Sequence, residues 1–111
     1  MALLLKRAGC ALALLAVFAP AGPAAQAAPT VHTIVIDGMR FIPQTVEVEA
    51  GDTVVWRNKD PFPHTVMATA PGPASPPIAA GASWRYKAAK AGNYPYLCTL
   101  HSTMTATLVV K

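Results

Sequence analysis

Apolar and polar residues alternate with a period of two along most of the chain beyond residue 30, the pattern of strands with one buried face. Val31, Thr33 and Val35 alternate with His32, Ile34 and Ile36 until Asp37-Gly38 stops the run. Thr45-Val46-Glu47-Val48-Glu49 sets its valines inward and its glutamates outward, and Ala50-Gly51-Asp52 is a turn. Thr53–Arg57 predicts the next strand, ended by Asn58-Lys59-Asp60-Pro61. Further strands are expected over His64–Thr69, Ala82–Lys87, Tyr94–Cys98 and Thr105–Val110, with the proline-rich stretch Pro71–Pro77 as a stiff surface connection. No helical periodicity competes. Seven short strands separated by Gly, Asp and Pro turns predict an all-β domain, a small antiparallel β-sandwich. Pro95 lacks a ladder donor, so its strand should bulge or lie at an edge there. Trp56 and Trp84 read as core, and His32 as an exposed strand residue without a partner.

The front of the chain has a different pattern. A short basic region (Lys6, Arg7) precedes an apolar run from Ala8 to Ala19, broken by Pro20 and Gly22-Pro23 and followed by Ala25-Gln26-Ala27. That order predicts a secretory signal over residues 1–27, cleaved after Ala27, and the run is too short to span a bilayer. The apolar run follows Cys10 instead of preceding it, the wrong order for a lipid attachment site. The expected mature domain is therefore residues 28–111, exported to the periplasm and not inserted in the membrane.

Cleavage changes what composition implies. The mature domain would hold one cysteine, Cys98, and no internal disulfide, so a thiol in an oxidising compartment must be buried or ligated. Seven basic and five acidic residues remain, a net charge of +2 that is too weak and dispersed to suggest nucleic acid.

Candidate chemistry is concentrated in Cys98-Thr99-Leu100-His101-Ser102-Thr103-Met104. A thiolate, an imidazole and a thioether recur at intervals of three on one short loop, and His64 follows the rigid Pro61-Phe62-Pro63 upstream. Two imidazoles and a thiolate with a weak axial thioether form the donor set that favours copper in an electron-transfer site. Taken singly, a histidine is more often a structural residue, a lone cysteine inert packing and a methionine core filler; the shared loop reverses those odds. The methionine makes zinc a poorer match.

The sequence resembles the cupredoxins, the small periplasmic blue copper proteins, and within them the amicyanin and plastocyanin-like branch. The resemblance runs from Phe41 to Val110 and includes Phe41-Ile42-Pro43, Val46, Val48, Gly51-Asp52-Thr53-Val54, Trp56, Asn58, Pro63-His64, Tyr94, Tyr96 and the Cys-x-x-His-x-x-Met loop. It implies a Greek-key sandwich holding one copper ion through His64, Cys98, His101 and Met104. Two positions depart from the branch: Leu100 stands where proline is typical, and Thr65 where asparagine is common. The Thr65 hydroxyl is expected to tie its loop to that of Cys98. Phe62, Leu100 and the flanking prolines are expected to form an apolar patch around the edge of His101.

The implied function is a soluble, monomeric one-electron carrier between redox proteins, such as a c-type cytochrome and a periplasmic dehydrogenase. The alternative is a copper-binding protein for handling, resistance or delivery, although no exposed Met- or His-rich cluster supports it. An enzyme is not expected, because His32, His64 and His101 are too few to supply a second metal centre.

Overall fold

The computed structural model describes Gly9 and residues 28–111; the expected export signal, Gly9 apart, lies outside the described residues. Among the described residues, eight strands form two four-stranded sheets. In chain order they are β1 (Val31–Asp37), β2 (Arg40–Ile42), β3 (Thr45–Val48), β4 (Thr53–Asn58), β5 (Met67–Ala68), β6 (Ser83–Lys87), β7 (Gly92–Leu97) and β8 (Thr105–Val110). The first sheet has the order β2-β1-β4-β6 and the second β3-β8-β7-β5. The sandwich is the one expected, with a difference in pairing: β1 runs parallel to β4, and β3 to β8. These partners are not consecutive in the chain, so period-two patterning leaves their relative direction open.

The strand without a counterpart in the sequence reading is β2, whose three residues are too few to show alternation. It arises because Asp37-Gly38 begins a hairpin instead of only ending a strand. Gly38 (φ 59°) and Met39 (φ 60°) are both left-handed between the paired Asp37 and Arg40, as a two-residue type I′ turn requires. The His64–Thr69 strand is shorter than expected. Only Met67–Ala68 is strand, and His64 forms a single bridge with Ile78. Pro95 is on β7, which lies between β8 and β5 and is therefore not an edge strand; it sits just past the end of the two-residue β5, where its carbonyl accepts from Thr69 N–H (3.0 Å). The Pro71–Pro77 loop is more than a surface connection. Ser75 is buried and exchanges bonds with Val66, its hydroxyl accepting the Val66 N–H at 2.7 Å.

The inner faces close over one core containing Ile34, Ile36, Val54, Trp56, Tyr96 and Leu108, all at or near zero exposure. Full burial of each such aliphatic side chain contributes about 1.5–3 kcal/mol. Trp56 lies at the centre, and its indole N–H donates across the sandwich to the Tyr96 hydroxyl (3.2 Å). Burial raises the Tyr96 pKa to about 12 despite that bond, so the phenol stays neutral. Trp84 is only partly buried, because β6 is an edge strand.

Candidate metal centre

Three of the predicted donors meet at one end of the sandwich. The ligand atoms of His64, Cys98 and His101 all lie within 4.8 Å of one another. Cys98 Sγ is 3.7 Å from Nδ1 of each histidine. His64 and Cys98 are fully buried, whereas His101 is half-buried. Met104 is buried at the base of the same loop, where backbone bonds close the turn: Cys98 N–H donates to the Met104 carbonyl (3.1 Å) and Met104 N–H to that of His101 (2.9 Å).

Cys98 is the residue after β7, where the chain leaves the sheet. Burial pushes its pKa up, but bonds from the Thr65 amide, His64, His101 and the Leu100 amide outweigh this and bring it down to about 6. The Thr65 N–H lies 3.4 Å from the sulfur. The Thr65 hydroxyl also bridges the loops as expected, accepting the Thr99 N–H at 2.8 Å and sharing a 2.8 Å bond with the Thr99 hydroxyl. A thiolate can thus persist at this buried position near neutral pH, as metal ligation requires.

Asp60 is the functional residue that the sequence reading missed. His64 Nε2–H donates to its Oδ2 at 2.8 Å, inside the protein. Burial opposes the charge on Asp60, but bonds from the Met39 amide, His64 and the Gly38 amide more than compensate, and its pKa is lowered. An ionised carboxylate only accepts, so Nε2 carries a proton, and the bond to Asp60 fixes the ring with Nδ1 toward Cys98. The available signal was the Asp-x-x-x-His spacing, masked because Asp60-Pro61 also reads as a strand terminator. Asn58, fully buried, holds this loop in place. Its side-chain oxygen accepts the Asp60 N–H (2.9 Å), and its amide donates to the carbonyls of Phe62 (2.7 Å) and Ile78 (3.0 Å).

His32 corrects another expectation. It shares the inward phase of Ile34 and Ile36, is only half exposed, and binds Asp52 at 2.8 Å at the opposite end of the domain. It takes no part in the donor cluster. Phe62 and Leu100 are both about half exposed (52% and 51%) and belong to the two loops that carry His64 and His101.

The donors fit a transition ion on chemical grounds. Their mutual separations leave room for a centre at about 2.0–2.3 Å from nitrogen and sulfur, the ordinary bond lengths. A thiolate and two imidazoles, with a thioether close in the chain, suit copper better than a hard cation.

A family model described as a cupredoxin-like domain matches residues 10–110. Amicyanin-alpha of Methylorubrum extorquens is 33% identical over 94 residues, 79% of each chain. Amicyanin of Paracoccus denitrificans is 32% identical over 93 residues, covering 79% of this chain and 71% of that one. Among solved structures, a Cu(I) form of an amicyanin mutant superposes with a TM-score of 0.69 at 30% identity, over 78% of this chain and 87% of that one. With sequence and fold agreeing over most of its length, the chain belongs to the cupredoxin family.

Proposed function

We propose that this protein is a soluble one-electron carrier of the periplasm, holding one copper ion through His64, Cys98 and His101, with Met104 as the weak fourth donor. The observation that carries the reading is the placement of Cys98 Sγ at 3.7 Å from both histidine Nδ1 atoms, with the sulfur wholly removed from solvent. Copper bound there would supply the Cu(II)/Cu(I) couple. The chain's own part is to fix the donors beforehand. Asp60 sets the tautomer of His64, the Thr65–Thr99 bonds join the two donor loops, and amides at Thr65 and Leu100 stabilise the thiolate. Donors held this rigidly change little between oxidation states, which favours electron exchange over ligand exchange.

His101 is the most exposed of the three donors, so an electron would enter or leave through its edge. Phe62 and Leu100 offer apolar surface on the neighbouring loops, suited to brief contact with another redox protein such as a c-type cytochrome or a dehydrogenase. Copper handling is the weaker reading, because His64 and Cys98 have no exposure through which metal could readily be passed. Export rests on the signal pattern over residues 1–27, and the mass of the periplasmic protein would test it.

The deciding experiment adds one equivalent of Cu(II) to residues 28–111. An intense blue band that ascorbate bleaches and ferricyanide restores is expected, and Cys98→Ala should abolish both the band and the redox couple. A faint, ordinary Cu(II) spectrum in the unaltered protein would overturn the proposal.

A further inference from the structure

The charge of the domain is concentrated on one face. In the first sheet the inward phase carries Ile34, Ile36, Val54 and Trp56, so the alternate positions face solvent. Register places Lys87 opposite Thr53, Arg85 opposite Val55, and Arg57 beside Val35. Lys59 extends the β1–β4 ladder, its N–H donating to the Ile36 carbonyl at 2.8 Å, and so lies alongside Asp37, which pairs with Arg40. Arg40, Arg57, Lys59, Arg85 and Lys87 are all exposed on this outer face, and Asp37 is its sole carboxylate. The face therefore carries +4, against +2 for residues 28–111, leaving the rest of the domain at −2.

The acidic residues that would balance it are engaged elsewhere. Asp52 and Asp60 are buried with histidines, and Glu47 pairs with Lys111 on the other sheet. None of the five cations forms an ion pair among the described residues. Arg57 and Arg85 are diagonal neighbours across β4 and β6, close enough for their long side chains to present one local positive charge. The strip also has a direction: from Lys87 it passes Arg85 and Arg57 to Lys59, three residues before exposed Phe62 at the metal end.

We infer that the outer face of the β2-β1-β4-β6 sheet is an electrostatic docking strip for an acidic redox protein, which it steers toward the Phe62–His101 edge. The inference rests on the carrier reading and adds the chemistry of the partner. Three of the five cations are arginines, whose planar forks suit protein carboxylates. The face has no outward aromatic anchor of the kind that seats a protein in a bilayer interface, which favours a protein surface over anionic lipid.

The test maps amide chemical shifts on isotopically labelled residues 28–111, metal-free and copper(I)-loaded, during titration with a deca-aspartate peptide. Saturable shifts confined to β4, β6, Lys59 and Arg40 are expected, and should vanish by about 0.3 M salt. Arg57→Glu/Arg85→Glu should abolish them, whereas Lys90→Glu/Lys111→Glu, the same change in net charge placed elsewhere, should not. In stopped flow, the first pair should slow reduction of the copper-loaded protein by a reduced acidic [2Fe–2S] ferredoxin, which gives up one electron per Cu(II), by about tenfold or more. Reduction by ascorbate should keep its rate to within about twofold in both double variants, since steering acts mainly on large charged partners.

Shifts centred elsewhere, or equal losses in both double variants, would overturn the strip. Binding to phosphatidylglycerol vesicles without peptide-induced shifts would also overturn it, in favour of a membrane surface. Absence of the blue band would sink the carrier reading alone, because the shift map on metal-free protein judges the strip separately.

Discussion

The domain contains two carboxylate–histidine pairs of the same length, at opposite ends and with different consequences. His32 and Asp52 meet at 2.8 Å near the β3–β4 turn, and His64 and Asp60 meet at 2.8 Å beside Cys98. In both, the carboxylate is buried and also accepts two backbone amides: Thr30 and Glu49 for Asp52, Gly38 and Met39 for Asp60. The histidines differ. His32 is half exposed, so its pair fastens the start of β1 to a turn. His64 is fully buried, and its other ring nitrogen faces a sulfur. A carboxylate partner thus does not identify a metal-binding histidine; the surroundings of the second nitrogen do.

The sharpest way to break this comparison is to remove each ring. His64→Ala should eliminate the intense blue band with one equivalent of Cu(II), whereas His32→Ala should keep it at full intensity. Loss of the band in both variants would mean that the two pairs are not functionally distinct. The next largest effect concerns the carboxylates. Asp60→Ala strands the Gly38, Met39 and His64 donors in a buried site and should cost about 2–4 kcal/mol in denaturant unfolding. Asp52→Ala should cost less, because its histidine can turn to water. Equal costs would show that burial of the ring does not matter.

Acid should weaken both ends together. The Thr30 amide, His32 and the Glu49 amide hold the Asp52 pKa below 3.8, and Asp60 is lowered by its bonds despite burial. A carboxylate with a depressed folded pKa contributes fully above its unfolded value and loses that contribution as pH falls through the folded one. Stability should therefore hold above about pH 5 and decline below about pH 4. Asp60→Asn should flatten that decline more than Asp52→Asn, as read from urea midpoints at successive pH values. The smallest effect belongs to His32→Gln, which should cost less than about 1 kcal/mol, as befits a partly exposed pair. A larger loss would mean that this clasp carries more of the fold than its exposure suggests.

The sequence makes the sandwich and the donor set legible for definite reasons. Alternation is strict in Thr45–Val48 and broken only by the outward Val55 and Val109 in Thr53–Arg57 and Thr105–Val110, and the Cys98–Met104 loop places three donor residues at fixed intervals. What stays hidden depends on contacts distant in sequence. The parallel pairing of β1 with β4 brings together runs that look alike in any direction. Asp60 appears to end a strand until the hairpin at Gly38-Met39 and the ring of His64 are both seen against it. His32 has the phase of a core residue, but its partner is 20 positions away. Thr65 is legible through the resemblance, because it stands beside His64 where asparagine is common and its hydroxyl can still join the two loops.

Asp60 also gives the centre a boundary wider than its donors. The two amides it holds belong to a hairpin tip more than 20 residues upstream, one of them on Met39, which adopts a backbone conformation that side chains resist. That tip therefore acts as part of the mounting of His64, although it contributes no donor atom. Grafting the Cys98–Met104 loop and His64 onto another sandwich would move the ligands and leave half of their scaffold behind. Lengthening the β1–β2 hairpin by a single residue would disturb the ring from the far side of the carboxylate, in a segment that a survey of metal-binding motifs would pass over.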